Sequence, residues 1–490
     1  MSVQAVDVSD FAQLQNALSP NTAEINLKAS IDATAKLKVL NNTTDPSLTI
    51  NGSGFYLDGG KTHSGINIRN LGAITLNITN NIIFKNFSGD TTYNTNQTIN
   101  NGAIYNSSDS DASIIIIGDN VRFLDNNAKS AGGAIYNHGG AGAQIKIGDN
   151  AVFSGNSATY GSAIYNAGFS GGQIIIGDNN VFSDNSGGAI YNQGTSGTAQ
   201  IKIGDNNVFS DNSGDAAIRN VAYADAQIII GDNNVFSGNS GGAINSENSY
   251  DTVQIKIGDN NVFSGNSADA GGAVCQANVI MSQVNANDSL VIGSGSTFES
   301  NNASSIGGAI YQYMTEQYTS SGISELTNSL SIGANSTFNN NSTSTDAGGA
   351  IYQGVIVWNN SAKTNNTLTI SDGTVFSNNR SGGHGGVIYS RIYSFAASTD
   401  VNTLTIGDNV TFSGNKATGL GGAINFQLHH TNASGSAKAE LNITTNGGTT
   451  LFTNNTDSSG LNDIYLNGTA GIDMNINILG NSGKVVFESG

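Results

Sequence analysis

Apolar and polar residues alternate in short bursts along this chain, and the bursts keep returning in the same order. "IGDNNVFSDNSGGAIYNQG", from Ile176 to Gly194, comes back almost unchanged as "IGDNNVFSGNSGGAI" from Ile230 to Ile244. In "QIKIG" and its copies the outer apolar positions are constant, while the residue between them varies as Lys146, Ile175, Lys202, Ile229 and Lys256. A period of two marks a strand with one buried face, so the constant Ile point inward and the variable residue outward. The residue before each Phe also varies (Arg122, Val152, Thr297), which places it outward and the Phe inward. Each unit therefore predicts three short strands, "QIKIG", "NVFS" and "GAIYN", joined by turns of Gly, Asn and Asp.

Phe182, Phe209, Phe236 and Phe263 stand 27 residues apart. Phe84, Phe123 and Phe153 precede them in the same role, and Phe298, Phe338, Phe376, Phe412 and Phe452 follow. From Phe123 onward each has Asn three residues later: Asn126, Asn156, Asn185, Asn212, Asn239, Asn266, Asn301, Asn341, Asn379, Asn415 and Asn455. A Gly–Ala–aliphatic phrase or a close variant of it follows each time except the last, which reads "SSGLNDIY". One such unit cannot bury its own apolar face. Stacked as parallel rungs about 4.8 Å apart, the units share one core, which predicts an all-β parallel β-helix solenoid. About fourteen rungs would make a rod on the order of 65–70 Å long. The Asn column is placed inside a corner, hydrogen-bonding along the axis.

The chain divides in sequence into a cap at 1–23, irregular coils at 24–97, regular repeats at 98–272, repeats with long insertions at 273–458, and a last coil at 459–490. In the cap, Ser9 or Asp10 is placed to start a short helix with Phe11, Leu14, Ala17 and Leu18 on one face. The final "GKVVFESG" reads as a strand cut midway.

Composition narrows the function. Of 490 residues 63 are Gly and 2 are Pro, and the net charge is −18 from 18 basic and 36 acidic side chains. That balance speaks against nucleic acid and against anionic lipid. The lone Cys275 excludes an internal disulfide framework and a Cys-based zinc site. The opening "MSVQAVDVSDFAQLQ" lacks the pattern of a signal peptide, which fits a cytosolic protein or a piece of a longer precursor.

With both phrases in view, the chain resembles autotransporter passenger domains, most closely the polymorphic outer-membrane protein family. Its hallmarks are a GGA-aliphatic tetrapeptide alternating with FxxN, and eleven FxxN copies interleave here with GGAI-type phrases from "NGAI" at Asn101 to "GGAI" at Gly421. The resemblance covers roughly Thr98 to Asn455. It implies a right-handed β-helix of the pectin-lyase-like kind, displayed on a bacterial surface by type V secretion through a C-terminal barrel, and used for adhesion. Membrane attachment would come only through that barrel, which lies outside this sequence.

Candidate chemistry is sparse. "GGHGG" at Gly382–Gly386, with "RIY" from Arg391, is similar to the GHG and RIK segments of pectin-degrading hydrolases. Such enzymes need paired carboxylates, and no acidic element precedes His384 at a suitable distance, so it reads as a repeat variant. "DGGKT" at Asp58–Thr62 lacks Walker spacing. His429 and His430 are adjacent, point to opposite faces if on a strand, and read as loop histidines. Asp119, Asp149, Asp178, Asp205, Asp232 and Asp259 form a column of like charges. Calcium would relieve their repulsion, but the preferred reading is that each Asp closes its turn in screened solvent. No cofactor and no catalytic residue are expected.

The leading expectation is a non-enzymatic adhesin or structural rod that meets a surface protein or glycan of a host or neighbouring cell. A polysaccharide lyase or hydrolase is the alternative, but Arg69, Arg122, Arg219, Arg380 and Arg391 fall in separate rungs without an acidic cluster. A self-assembling or ice-binding solenoid is a third reading, though Val291, Ser331, Thr369 and Thr405 make a mixed outward row. After Phe263 the spacing grows to 35, 40, 38, 36 and 40, always between the GGAI phrase and the next strand. Insertions in one slot stack on one flank, which becomes the candidate binding face. It holds Tyr311, Tyr313, Tyr318, Tyr352, Trp358, Tyr389, Tyr393, Phe395, Phe426, His429 and His430. The competing expectation is that the strands lengthen and these aromatics pack beneath a wider sheet.

Overall fold

A computed structural model of the chain describes residues 4–41, 47–70, 73–89, 91–93, 97–99, 102–108, 111–281, 285–317, 325–358, 363–432, 435–469 and 472–488. It divides into two compact units, Met1–Ala224 and Asp225–Gly490. Each is a right-handed parallel β-helix.

In the first unit the Ile strands Ala112–Ile117, Gly142–Ile147, Gly172–Ile176 and Ala199–Ile203 pair in parallel, with Ile115, Ile145, Ile174 and Ile201 in register. Three-residue Phe strands follow each, from Arg122–Leu124 to Val208–Ser210. A third sheet contains the five-residue strands Ile104–Ser108, Ile135–Gly139, Ile164–Gly168, Ile190–Gly194 and Ile218–Ala222. The constant Ile and Phe are buried, and Lys146 and Lys202 are exposed.

Two ladders run through this core. The rings of Phe123, Phe153, Phe182 and Phe209 stack at 4.8 Å, and burying each contributes about 1.5–3 kcal/mol. Beside them Asn126 Nδ2 donates to Asn156 Oδ1 at 3.0 Å, Asn156 to Asn185 at 3.0 Å, and Asn185 to Asn212 at 2.9 Å. Asn156 Nδ2 also donates to the Phe123 carbonyl at 3.0 Å, and its Oδ1 accepts the Asn126 backbone N–H at 3.1 Å. A fully buried amide is tolerated because both its ends are satisfied. A second Asn ladder, Asn106–Asn137–Asn166–Asn192–Asn220, has links of 2.9–3.1 Å. It exists because the third-sheet strand runs on past its apolar start, so alternation turns Ile135, Asn137 and Gly139 inward.

The turns explain the Gly, Asn and Asp content. Two residues after each Phe the backbone is left-handed, with φ of +53° to +65° at Asp125, Gly155, Asp184 and Asp211, where these residue types cost least. In the GGA phrase, Gly132 has φ +65°, and a Cβ on Gly133 would lie 2.5 Å from the Ser157 carbonyl. The helix forms at Phe11–Ala17 with Asp10, rather than Ser9, as the N-cap, accepting the Gln13 N–H at 2.8 Å. Leu14, Ala17 and Leu18 are buried.

The second unit repeats this core. Phe236, Phe263, Phe298, Phe338, Phe376, Phe412 and Phe452 stack at 4.6–5.0 Å. Asn239, Asn266, Asn301, Asn341, Asn379, Asn415 and Asn455 are joined at 2.8–3.1 Å. The departure at "SSGLNDIY" gives the ladder a different partner, since Asn455 Nδ2 donates to Asp463 Oδ1 at 2.8 Å. The third-sheet strands grow from five residues at Ile244–Asn248 to seven at Val274–Ile280, Ile310–Glu316, Ile351–Val357, Ile388–Ser394 and Ile424–His430. The fifth position is mostly small in the narrow rungs and mostly apolar in the wide ones, with Asn248 and Asn278 occupying it in a five- and a seven-residue strand. The first unit has Gly139, Gly168, Gly194 and Ala222 there, and a Cβ on Gly139 would fall 1.8 Å from the Gly142 carbonyl. The wider rungs bury Met314, Val355, Ile392 and Leu428 at that position.

Candidate binding flank

The seven-residue strands present alternate positions outward, and their register brings the predicted aromatics into columns. Tyr311, Tyr352 and Tyr389 share one column; Tyr313, Gly354, Arg391 and Gln427 share the next; Ile356, Tyr393 and His429 share the third.

Several predicted flank residues are not on a free surface. Phe426 is at the third, inward position and is 1% exposed, so it belongs to the core. Tyr352 and Tyr389 face out of the sheet yet are buried with Ala347, and Ile306, Tyr311 and Tyr313 pack against them. Ile306 ends a strand, Asn302–Ile306, of an additional small sheet. Phe426 thus packs beneath the lengthened sheet, whereas Tyr352 and Tyr389 are covered on its outer side. His429 and His430 are on the strand Ile424–His430, not in a loop. His430 turns inward, with Nδ1 2.7 Å from Oδ2 of buried Asp400. Tyr318 lies outside the described residues.

What stays exposed is compact. Trp358 is 44% and Phe395 39% exposed, and their rings stack at 4.7 Å and 10°. Tyr393 adds a tilted contact to Phe395 at 5.0 Å and to His429 at 5.3 Å. Backbone bonds fix the pair: Trp358 N–H donates to buried Glu316 Oε2 at 3.0 Å, and Phe395 N–H to the Val357 carbonyl at 2.9 Å. Arg391 sits over Tyr352 and Tyr389 at 5.5 and 5.7 Å. The Tyr389 hydroxyl donates to Gln427 Oε1 at 3.0 Å. Burial, and then the nearby Arg391 charge, hold His429 below its ordinary pKa, so it is neutral at neutral pH.

The aspartate column ties rungs together. Asp119, Asp149 and Asp178 each accept the backbone N–H of the next Asp, ending at Asp205, at 2.8 Å. Asp232 accepts from Asp259 at 2.7 Å, and Asp259 from Ser294 at 2.7 Å. The carboxylates thus close turns across rungs rather than within one. Among the described residues no three His, Cys, Asp or Glu side chains are grouped to hold a metal ion. His384 Nδ1 accepts the Leu420 N–H at 3.0 Å, and its ring lies 6.3 Å from that of Tyr389. In the first unit a groove of about 600 Å³ runs over Tyr136, His138, Tyr165 and Gln193, beside Phe169.

Four segments, residues 120–138, 335–353, 373–391 and 409–427, match the Chlamydia polymorphic membrane protein repeat. Each spans one FxxN and the Gly-Gly phrase after it, so the match falls on the ladder of the core. No curated protein matches the chain. Among solved structures, a chain described as L. reuters 100-23 SRRP is 12% identical over 97% of this chain and 100% of its own, with a TM-score of 0.24.

Proposed function

With polymorphic membrane protein repeats as the premise, we propose that this chain is a non-enzymatic passenger of a bacterial surface that acts as an adhesin. The repeats and the β-helix together support a surface passenger. The observation that carries the adhesive role is the exposed Trp358–Phe395 stack with Tyr393 and His429 beside it. Trp and Tyr dominate binding hot spots, and an exposed aromatic cluster held by backbone bonds is preorganised for contact. A non-enzymatic role is supported by His384, whose Nδ1 is engaged by a backbone N–H in the next rung. Its expected consequence is that incubation with pectate or related glycans releases no reducing ends.

The test is attachment of the purified chain to target cells. Trp358→Ala combined with Tyr393→Ala should abolish attachment and leave the melting point unchanged. Attachment that persists, or that is lost only with unfolding, contradicts the reading.

A further inference from the structure

Arg391 lacks something that comparable cations in this protein have. Arg219 lies 5.6 Å over Tyr191 and has Asp215 at 3.3 Å. Lys85 lies 3.9 Å over Tyr56 and has Asp58 at 3.1 Å. Arg391 sits over Tyr352 and Tyr389 in the same manner, yet no ion pair among the described residues includes it. A half-buried guanidinium without a counter-charge is costly, the more conspicuous in a chain with net charge −18.

Its neighbours describe what would fill the place. Arg391 is in register with Gln427, and Tyr393 with His429. Residues two apart on a strand are about 6.8 Å apart and adjacent rungs about 4.8 Å, so these side chains frame an area the size of one pyranose ring. The guanidinium matches a carboxylate with two parallel N–H donors. Half-buried His429 is a polar group suited to a hydroxyl, and buried Gln427 holds it from behind: Gln427 Nε2 donates to Asn425 Oδ1 at 2.8 Å, while its Oε1 meets the Tyr389 hydroxyl at 3.0 Å and His429 Nε2 at 3.3 Å. The Tyr393–Phe395–Trp358 rings continue the surface with apolar area suited to the C–H face of a sugar.

We infer that Arg391, Tyr393 and His429, with the Trp358–Phe395 stack and with buried Gln427 positioning His429, form a subsite for a carboxylated pyranose within a glycan. This rests on the flank being the adhesive face. The carboxylate bridges to Arg391 and supplies the missing counter-charge, while the sugar ring lies toward Tyr393. A sialic acid and a uronic acid share this chemistry.

The full chain is titrated calorimetrically with sialyllactose and with a glucuronic-acid disaccharide, each beside its methyl ester. At least one acid should bind, at least tenfold more tightly than its ester, and which acid binds names the source of the carboxylate. Arg391→Gln should weaken the acid at least tenfold and leave binding of the ester unchanged. Equal binding of acid and ester, or no binding of either acid, overturns the proposal. Should Arg391→Gln fail to fold, the acid–ester comparison on the unaltered chain decides. If the sugars fail while Trp358→Ala with Tyr393→Ala still blocks attachment to cells, the adhesive flank stands and the carboxylated ligand does not.

Discussion

The two units are built on the same kind of core and differ at one corner of the rung. In the first, third-sheet strands of five residues carry Tyr105, Tyr136, Tyr165 and Tyr191 outward, and these rings stack on one another at 4.8–5.2 Å. The second unit keeps tyrosines at that position, Tyr311, Tyr352 and Tyr389, at 5.2–5.5 Å, and its seven-residue strands carry at the fourth position Tyr313, Gly354, Arg391 and Gln427 where the first unit has Ser107, His138, Ala167, Gln193 and Val221. Identical neighbours satisfy one another: Tyr covers Tyr, and Asn donates to Asn. The wider strands add outward positions that the five-residue strands do not have, where unlike aromatics meet as Tyr393 meets His429. Trp358 and Phe395 stay exposed at their end, and among the described residues no ion pair includes Arg391. The widened rungs also bury carboxyl groups that the first unit does not place at the matching positions. Asp288 stands where the first unit has Ala143, Gly172 and Ala199.

If the cores are equivalent, Phe209→Ala and Phe376→Ala should each cost about 3–5 kcal/mol in denaturant melts. Val208→Ala, one residue outward, should cost much less. Equal losses at Phe209 and Val208 would break the inward–outward assignment, and a small loss at Phe376 alone would break the equivalence of the units. Next in size is Asn185→Ala, which strips acceptors from Asn156 N–H and Asn156 Nδ2. Each buried group left without a partner costs about 1–3 kcal/mol. Asn137→Ala, in the second ladder, should behave alike.

Much of this core was legible because the repetition exposes it. The spacing of Phe and Asn places the Phe ladder and the Asn ladder beside it, and the variable Lys/Ile position marks the outer face. The second Asn ladder was missed because Asn after Tyr looks like the start of a turn. The signal was present, since Asn106, Asn137, Asn166, Asn192 and Asn220 never vary. Phe426 could have been placed inward by counting two residues from Ile424. Tyr352 and Tyr389 could not, because Ala347, which covers them, reaches them through tertiary packing that no local pattern encodes. The histidines looked like loop residues because the insertion hid that the strand itself continues to His430.

Asp288 separates the units by pH. It accepts from Val253 N–H and Asn278 Nδ2, both at 2.8 Å, and burial pushes its carboxyl from 3.8 up to about 8. The folded chain therefore holds a proton that the unfolded chain releases. That contribution is fully present below the unfolded value of 3.8 and is lost as pH rises through about 8. The melting point should fall across this window, and Asp288→Asn should flatten the fall. An unchanged pH profile in that variant would place the titration elsewhere. The smallest effect expected is that of EDTA, which should leave the melting point nearly unchanged, because the aspartate column is bonded to backbone N–H groups. A large drop restored by calcium alone would reassign that column.

On the proposed function, contact with other surfaces is made at the exposed aromatics of the widened rungs. Hydroxyl-radical footprinting of the chain, free and bound to target-cell ghosts, measures this most directly. Protection should concentrate at Trp358, Tyr393, Phe395 and His429 and leave the groove over Tyr136, Tyr165 and Phe169 as reactive as in the free chain. Protection of that groove, with Trp358 and Phe395 still reactive, would contradict the account.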